Sequence, residues 1–257
     1  MTGSADVPLD AVVLAAGEGR RLRPLTERWP KPLLPIDGRP VLATLLRELG
    51  ATGIPRVTVV VGHLGEQVES FLVSGCGFRP ELRIARQERP DGSADALRAA
   101  LAAGAEAPLL VVAADTVFSP GDIAQAATTF LGSSAAGALG VRSAPQVEPG
   151  ERATVHVEAG RVVRVVEGSP TGTAEGLSVG APLWFLREPV LARLDGLPGP
   201  PFQLADALQG AIDGGEEVLA LPLGPTRDLT RPADVVLHNF PYLWSQVTQR
   251  GPKGAQP

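Results

Sequence analysis

Hydrophobic positions in the first half of the chain fall into two alternating patterns. Short unbroken apolar runs, "AVVLAA" (11–16), "RVTVVVG" (56–62) and "PLLVVAAD" (108–115), read as strands buried on both faces. Between them lie stretches with helical spacing. "PVLATLLRELG" (40–50) sets Val41, Leu42, Leu45, Leu46 and Leu49 on one face and stops at Gly50. "LGEQVESFLVSG" (64–75) carries Leu64, Val68, Phe71 and Leu72 as its stripe. "SADALRAALAAG" (93–104) predicts a third helix with Ser93 as its cap, and "ELRIARQ" (81–87) a further strand. Strands that alternate with helices imply right-handed crossovers and a mixed, mostly parallel sheet flanked by helices. Ligands of such α/β folds gather at the carboxyl ends of the strands.

After about residue 135 the pattern changes. "ATVHVEAGRVVRVVE" (153–167) alternates at period two around Ala159-Gly160, which predicts a hairpin and an added β lobe. "GLSVGAPLWFL" (176–186) and "EVLALPL" (217–223) read as strands, and "QLADALQGAIDGG" (203–215) as an amphipathic helix. One domain is expected over residues 1–250. It comprises a nucleotide-binding half (8–135), an acceptor-binding half (136–232) and a C-terminal helix (233–250), with a disordered tail over 251–257.

Composition narrows the function. The chain has 257 residues, 44% of them hydrophobic, enough for one large domain or two packed lobes. A net charge of -5 with no basic tract argues against nucleic acid or a membrane surface as partner. The N-terminus lacks a signal pattern and no apolar run approaches a membrane span. Cys76 is the only cysteine, so the chain cannot form an internal disulfide. A cytoplasmic location is expected. Whether the chain forms a homo-oligomer is left open. Lys31 and Lys253 are the only lysines; arginine supplies nearly all the positive charge.

That makes "LAAGEGRRLRPLTERWPKPLLPI" (14–36) the segment of interest. A glycine-bearing loop after a buried strand lets backbone N–H groups point at phosphate oxygens. The glycine spacing is neither that of a P-loop nor that of the dinucleotide fingerprint, and a glycine pair by itself also fits a tight turn. The prolines at 30, 32 and 35 restrict the backbone around Lys31, so that lysine loses less freedom on meeting an anion.

"GEGRRLRPLTERWPKPLLPIDGRPV" (17–41) resembles the signature of the sugar-1-phosphate nucleotidylyltransferases, nearest to the glucose-1-phosphate thymidylyltransferase and mannose-1-phosphate guanylyltransferase-like branch. The resemblance implies a Rossmann-like nucleotide-diphospho-sugar transferase fold. It implies an enzyme that joins an NTP, with UTP or dTTP favoured, to a sugar 1-phosphate and releases pyrophosphate. By it, Leu14, Ala15, Ala16, Gly17 and Gly19 bind the nucleotide, Arg21 stabilises the leaving pyrophosphate, and Lys31 contacts the reacting phosphates. Arg20 and Arg23 fall at variable positions, and the resemblance assigns them no role. "RQERPDGSADALRAA" (86–100) resembles the family segment in which Gln87 and Gly92 read the base. "LLVVAADTVF" (109–118) and "RDLTRPADVVLHN" (227–239) resemble the two segments whose aspartates, Asp115 and Asp228, ligate Mg²⁺.

The acceptor half departs from the family. Glu167 aligns with the glutamate that holds sugar hydroxyls and Gly180 with a glycine of the sugar-binding strand, but Gly168 replaces a phosphate-binding lysine. Two readings follow: an active enzyme with an altered acceptor pocket, or a nucleotide- or NDP-sugar-binding partner subunit of the same fold that has lost transfer. A glycosyltransferase would need a second aspartate in "AADTVF", and a dehydrogenase the dinucleotide fingerprint. His63, His156 and His238 lack metal-site spacing and read as structural or surface residues.

Overall fold

The computed structural model describes residues 8–74, 80–142, 153–166 and 177–240. Nine strands form one sheet: β1 (Asp10–Ala15), β2 (Arg56–Val61), β3 (Glu81–Arg86), β4 (Leu109–Ala113), β5 (Gly137–Arg142), β6 (Thr154–Glu158), β7 (Arg161–Val166), β8 (Leu177–Leu186) and β9 (Val218–Pro222). Their spatial order is β3-β2-β1-β4-β8-β5-β9-β7-β6. The first four run parallel. β8 enters antiparallel between β4 and β5, while β9 runs parallel to β5. The helices are α1 (Val41–Ala51), α2 (Gly65–Val73), α3 (Ser93–Ala102), α4 (Asp122–Leu131), α5 (Glu188–Leu191), α6 (Leu204–Asp213) and α7 (Pro232–Asn239).

Alternate residues of β1 serve opposite cores, because strand side chains point to the two faces in turn. Ala11, Val13 and Ala15 join Leu45, Leu49 and Phe130 on one side. Val12 joins Leu97, Leu208 and Val111 on the other. A strand covered on both faces cannot alternate apolar with polar, which is why its sequence is an unbroken apolar run.

The predicted hairpin is present. β6 and β7 pair around Ala159 (φ 47) and Gly160 (φ 79), two left-handed residues that suit a tight two-residue turn. β6 also pairs with β8, so the hairpin extends the main sheet. Ser93 differs from expectation. It makes no cap bond to its own helix; its Oγ donates to Gln203 Oε1 (3.0 Å) and accepts from the Leu204 N–H (2.9 Å). It therefore satisfies the first turn of α6, an orphan donor 111 residues away. The described part of the C-terminal helix is α7, and the expected tail lies outside the described residues. No helix among the described residues is long and apolar enough to cross a membrane.

Candidate active site

The carboxyl ends of β1 and β4 lie side by side, with Leu14 paired to Ala113. Each strand hands over to a loop there: Ala16–Gly17 after β1, and Ala114–Asp115 after β4. The Ala114 N–H donates to the Leu14 carbonyl (3.0 Å), so the two loops leave the sheet together. Ala114, at a position the resemblance gives to glycine, is buried and fits.

Asp115 Oδ2 accepts from Lys31 Nζ at 2.5 Å, a contact spanning 84 residues of sequence. Lys31 opens a short 3₁₀ turn (Lys31–Leu33) after Pro30, with Pro32 buried beneath it. The prolines thus hold the lysine stem on the site. Asp228 arrives from the far end of the chain. Thr116–Val117 pair antiparallel with Arg227–Asp228, which puts Asp228 opposite Thr116, and the Leu229 N–H donates to the Asp115 carbonyl (3.0 Å). The Thr116 hydroxyl lies 2.6 Å from Asp228 Oδ1 and 3.1 Å from Asp115 Oδ1. One buried hydroxyl thus stands between the two carboxylates expected to share a metal, donating its single proton to one of them at a time.

Arg142, at the end of β5, donates to Asp228 Oδ2 (3.1 Å) and also contacts Thr226 Oγ1. His238 Nε2 donates to the Asp228 carbonyl (3.2 Å). Sequence reasoning missed Thr116 and Arg142, while His238, read as a structural or surface residue, holds backbone here. Thr116 had a signal, as the residue after Asp115 at a strand's carboxyl end. Arg142 ends a strand whose glycines hide it.

Two clefts open beside this pair. The first, about 280 Å³, is lined by Leu14, Ala15, Ala16, Gly17, Gln87 and Gly92 among others. The second, about 170 Å³, is lined by Arg21, Gly180, Pro182 and Thr230 among others. Both include Lys31, Asp115, Ala113 and Trp184. Trp184 on β8 was not foreseen, since its place between the clefts depends on β8 crossing into the parallel set. The structure thus brings together twelve of the thirteen expected residues around one centre, Gly19 and Asp228 without lining either cleft. Glu167 lies outside the described residues.

Gly19 and Gly92 are glycines for reasons of contact. Gly19 is left-handed (φ 62), and a Cβ there would lie 2.8 Å from Thr26 Cγ2 and 3.4 Å from Lys31 Cβ. Gly92 (φ 109) lies against Phe202, whose carbonyl oxygen would be 2.2 Å from a Cβ. The expected reason for Gly92 was approach to a base; the structure adds this backbone contact. Gln87, 8% exposed, donates from Nε2 to the Gly92 carbonyl (3.0 Å) and to Asp95 Oδ2 (2.8 Å).

Arg20 and Arg23 pair with Glu18, at 2.6 Å and 3.9 Å. The hydrogen bond from Arg20 holds the Glu18 carboxyl below its ordinary range, helped by the charges of Arg20, Arg23 and His63. Both arginines are exposed.

Residues 11–207 match the MobA-like NTP transferase domain family. The chain belongs to that family. The match covers the opening signature and the segments that carry Gln87, Gly92 and Asp115. The chain is 52% identical over 65 residues to a CMP-5'-(3-aminopropyl)phosphonate synthase of Streptomyces rubellomurinus, 25% of this chain and 10% of that protein. It is 30% identical over 221 residues to the bifunctional protein GlmU of Paraburkholderia xenovorans, 82% of this chain and 46% of that protein. The chain spans less than half the length of these curated relatives. Its fold is similar to that of a UDP-glucose pyrophosphorylase solved with UDP-glucose, at TM-score 0.80 and 18% identity, covering 93% of this chain and 99% of that one.

Among the described residues no three His, Cys, Asp or Glu side chains form a metal cluster. The carboxylate pair does fit a hard cation that takes its remaining oxygens from substrate and water. Thr116→Val should test the bridge. Loss of a hydroxyl between two carboxylates is expected to cost about 1–3 kcal/mol in unfolding free energy. It should also slow turnover about 10–100-fold, the scale for groups that orient a metal ligand. Denaturant titration and pyrophosphate release would measure the two effects.

Proposed function

We propose that this chain transfers a nucleotidyl group from a pyrimidine nucleoside triphosphate to a sugar 1-phosphate, with Mg²⁺, and releases pyrophosphate. The observation that carries the reading is the junction. Lys31 and Asp115 stand where the two clefts meet, so one cleft can hold the triphosphate and the other the acceptor with their reacting atoms adjacent. A phosphate oxygen of the acceptor attacks the α-phosphorus; the new P–O bond forms as the bond to the β-phosphate oxygen breaks. Positioning and charge neutralisation carry such a reaction.

Asp115 and Asp228 would hold Mg²⁺, which when bound supplies positive charge at the reacting phosphates. Lys31 leaves Asp115 for the incoming phosphate. Arg21, on the acceptor-side cleft, meets a second anionic group. Arg142 and Thr116 keep Asp228 oriented meanwhile. The division into a nucleotide half (8–135) and an acceptor half (136–232) follows from the same reading, as does action on soluble substrates in the cytoplasm.

Gln87 faces a base with an acceptor. Its Nε2 hydrogens are engaged by Gly92 and Asp95, which leaves Oε1 as the atom to meet a ligand. An acceptor oxygen suits the N3–H of uracil or thymine and equally the amine of cytosine. UTP and dTTP are favoured by the resemblance, while CTP is favoured by the name of the phosphonate-linked relative.

A second reading of the acceptor rests on the wall of its cleft. Away from Lys31 and Arg21, the described lining includes Leu139, Val165, Ala181, Pro182 and Trp184. These apolar groups offer no hydrogen bonds to sugar hydroxyls, which among the described lining leaves Thr230 and Asp115 for them, so the wall also suits a small phosphonate. Pyrophosphate release should be measured with UTP, dTTP and CTP against hexose 1-phosphates and short aminoalkylphosphonates. Turnover with a sugar 1-phosphate supports the first reading; turnover with phosphonates alone supports the second. Magnesium-dependent nucleotide binding with no turnover on any acceptor would favour a partner subunit.

A further inference from the structure

The glycine loop must present its amides in one arrangement, yet its own bonds are few. The second support comes from His63, at the carboxyl end of β2. The His63 backbone N–H donates to the Ala16 carbonyl (3.2 Å), which fixes the start of the loop. Its ring reaches further. Nε2 lies 2.8 Å from the Thr26 carbonyl, and because a carbonyl can only accept, Nε2 carries the proton and donates. Thr26, 1% exposed, passes the constraint on: its hydroxyl donates to the Gly19 carbonyl (2.9 Å). Gly19 heads the 3₁₀ turn Arg20–Leu22, with the Leu22 N–H on the same carbonyl (2.8 Å), and it packs on the stem of Lys31. Gln67 of α2 adds a parallel hold on the Arg28 carbonyl (3.2 Å).

We infer that His63 is a positioning residue for the triphosphate: through Thr26 and Gly19 it sets the loop that presents Arg21 and Lys31. It touches no reacting atom in this arrangement. Removing its ring donor lets the Thr26 turn relax away from Gly19, and the loop must then be ordered when nucleotide binds. That ordering is subtracted from nucleotide affinity, and the acceptor cleft feels it as well, because Arg21 and Lys31 also line that cleft.

This inference rests on the proposed nucleotide site, so its test begins with binding. Titration of wild-type protein with Mg²⁺ and UTP, dTTP or CTP establishes whether that site exists; no binding by wild type would defeat the parent reading. Given binding, His63→Ala is expected to weaken it about tenfold, and to raise KM for the triphosphate by a similar factor. His63→Gln places a donor amide near the Nε2 position and is expected to restore affinity to within about threefold. Unchanged nucleotide affinity in His63→Ala would overturn the assignment. Failure of glutamine to restore a loss seen in a variant that melts like wild type would do so too.

Discussion

Lys31→Ala should lower turnover by more than about a hundredfold, the scale observed when a preorganised charge donor is removed. The lysine side chain is only 17% exposed, and the prolines on either side fix its stem. Its ammonium lies against Asp115 at the junction of the two clefts. Truncation removes the cation that meets the reacting phosphates and at the same time leaves Asp115 without its partner. Lys31→Arg should rescue little, because a planar fork does not occupy the place of a compact ammonium. Asp115→Ala is expected to be comparably slow, and the double variant barely slower than either single one, since the two side chains act as a unit. Pyrophosphate release at saturating substrates gives the rates, and circular dichroism confirms that each variant is folded. Turnover within threefold of wild type in Lys31→Ala would remove Lys31 from the reaction.

The parts of this architecture that were legible in the chain share a cause. β1, β2 and β4 are sandwiched between helices, and burial on both faces writes itself as an apolar run. The hairpin was marked by Ala159-Gly160, whose left-handed backbone the turn demands. Asp115 could be singled out because it follows a strand's end, and Lys31 because prolines flank it. What was hidden depends on contacts between distant segments. Ser93 looks like the cap of the helix it begins, yet its hydroxyl serves α6. β5 was passed over because Gly137 and Gly140 weaken the strand pattern; both sit where Leu208, Val190 and Leu223 press close to the backbone. Losing β5 from view also hid Arg142, whose partner Asp228 lies 86 residues on. α4 has the stripe Ile123, Ala126, Ala127 and Phe130, but alanines give it little contrast with its polar face. His63 and His238 look scattered because each donates to a carbonyl brought to it only by folding.

Gly92→Ala should be the most damaging single-methyl change in the nucleotide cleft. At φ 109 the backbone is outside the range of ordinary L residues, a strain of about 1–3 kcal/mol. The new Cβ would also meet the Phe202 carbonyl oxygen at 2.2 Å and its nitrogen at 2.7 Å. Neither can swing aside as a side chain does, because both are committed. The Phe202 N–H donates to the Asp91 carbonyl (2.7 Å), and the Phe202 carbonyl accepts from Ala94 (3.0 Å). Relief therefore requires the loop before α6 to move away from α3, breaking two hydrogen bonds and the contact of Arg98 over the Phe202 ring. Strain and overlap together should cost at least about 3 kcal/mol. For a domain of this size that lowers the melting temperature by roughly 6–12 °C. Gly92 also accepts from Gln87, so any shift of its own backbone loosens that bond, and nucleotide affinity should fall at least tenfold (about 1.4 kcal/mol) even where the variant remains folded. A variant melting within 2 °C of wild type would show that α3 and the α6 loop are not locked together at Phe202. The base end of the cleft would then have to be held by Gln87 and Asp95 alone.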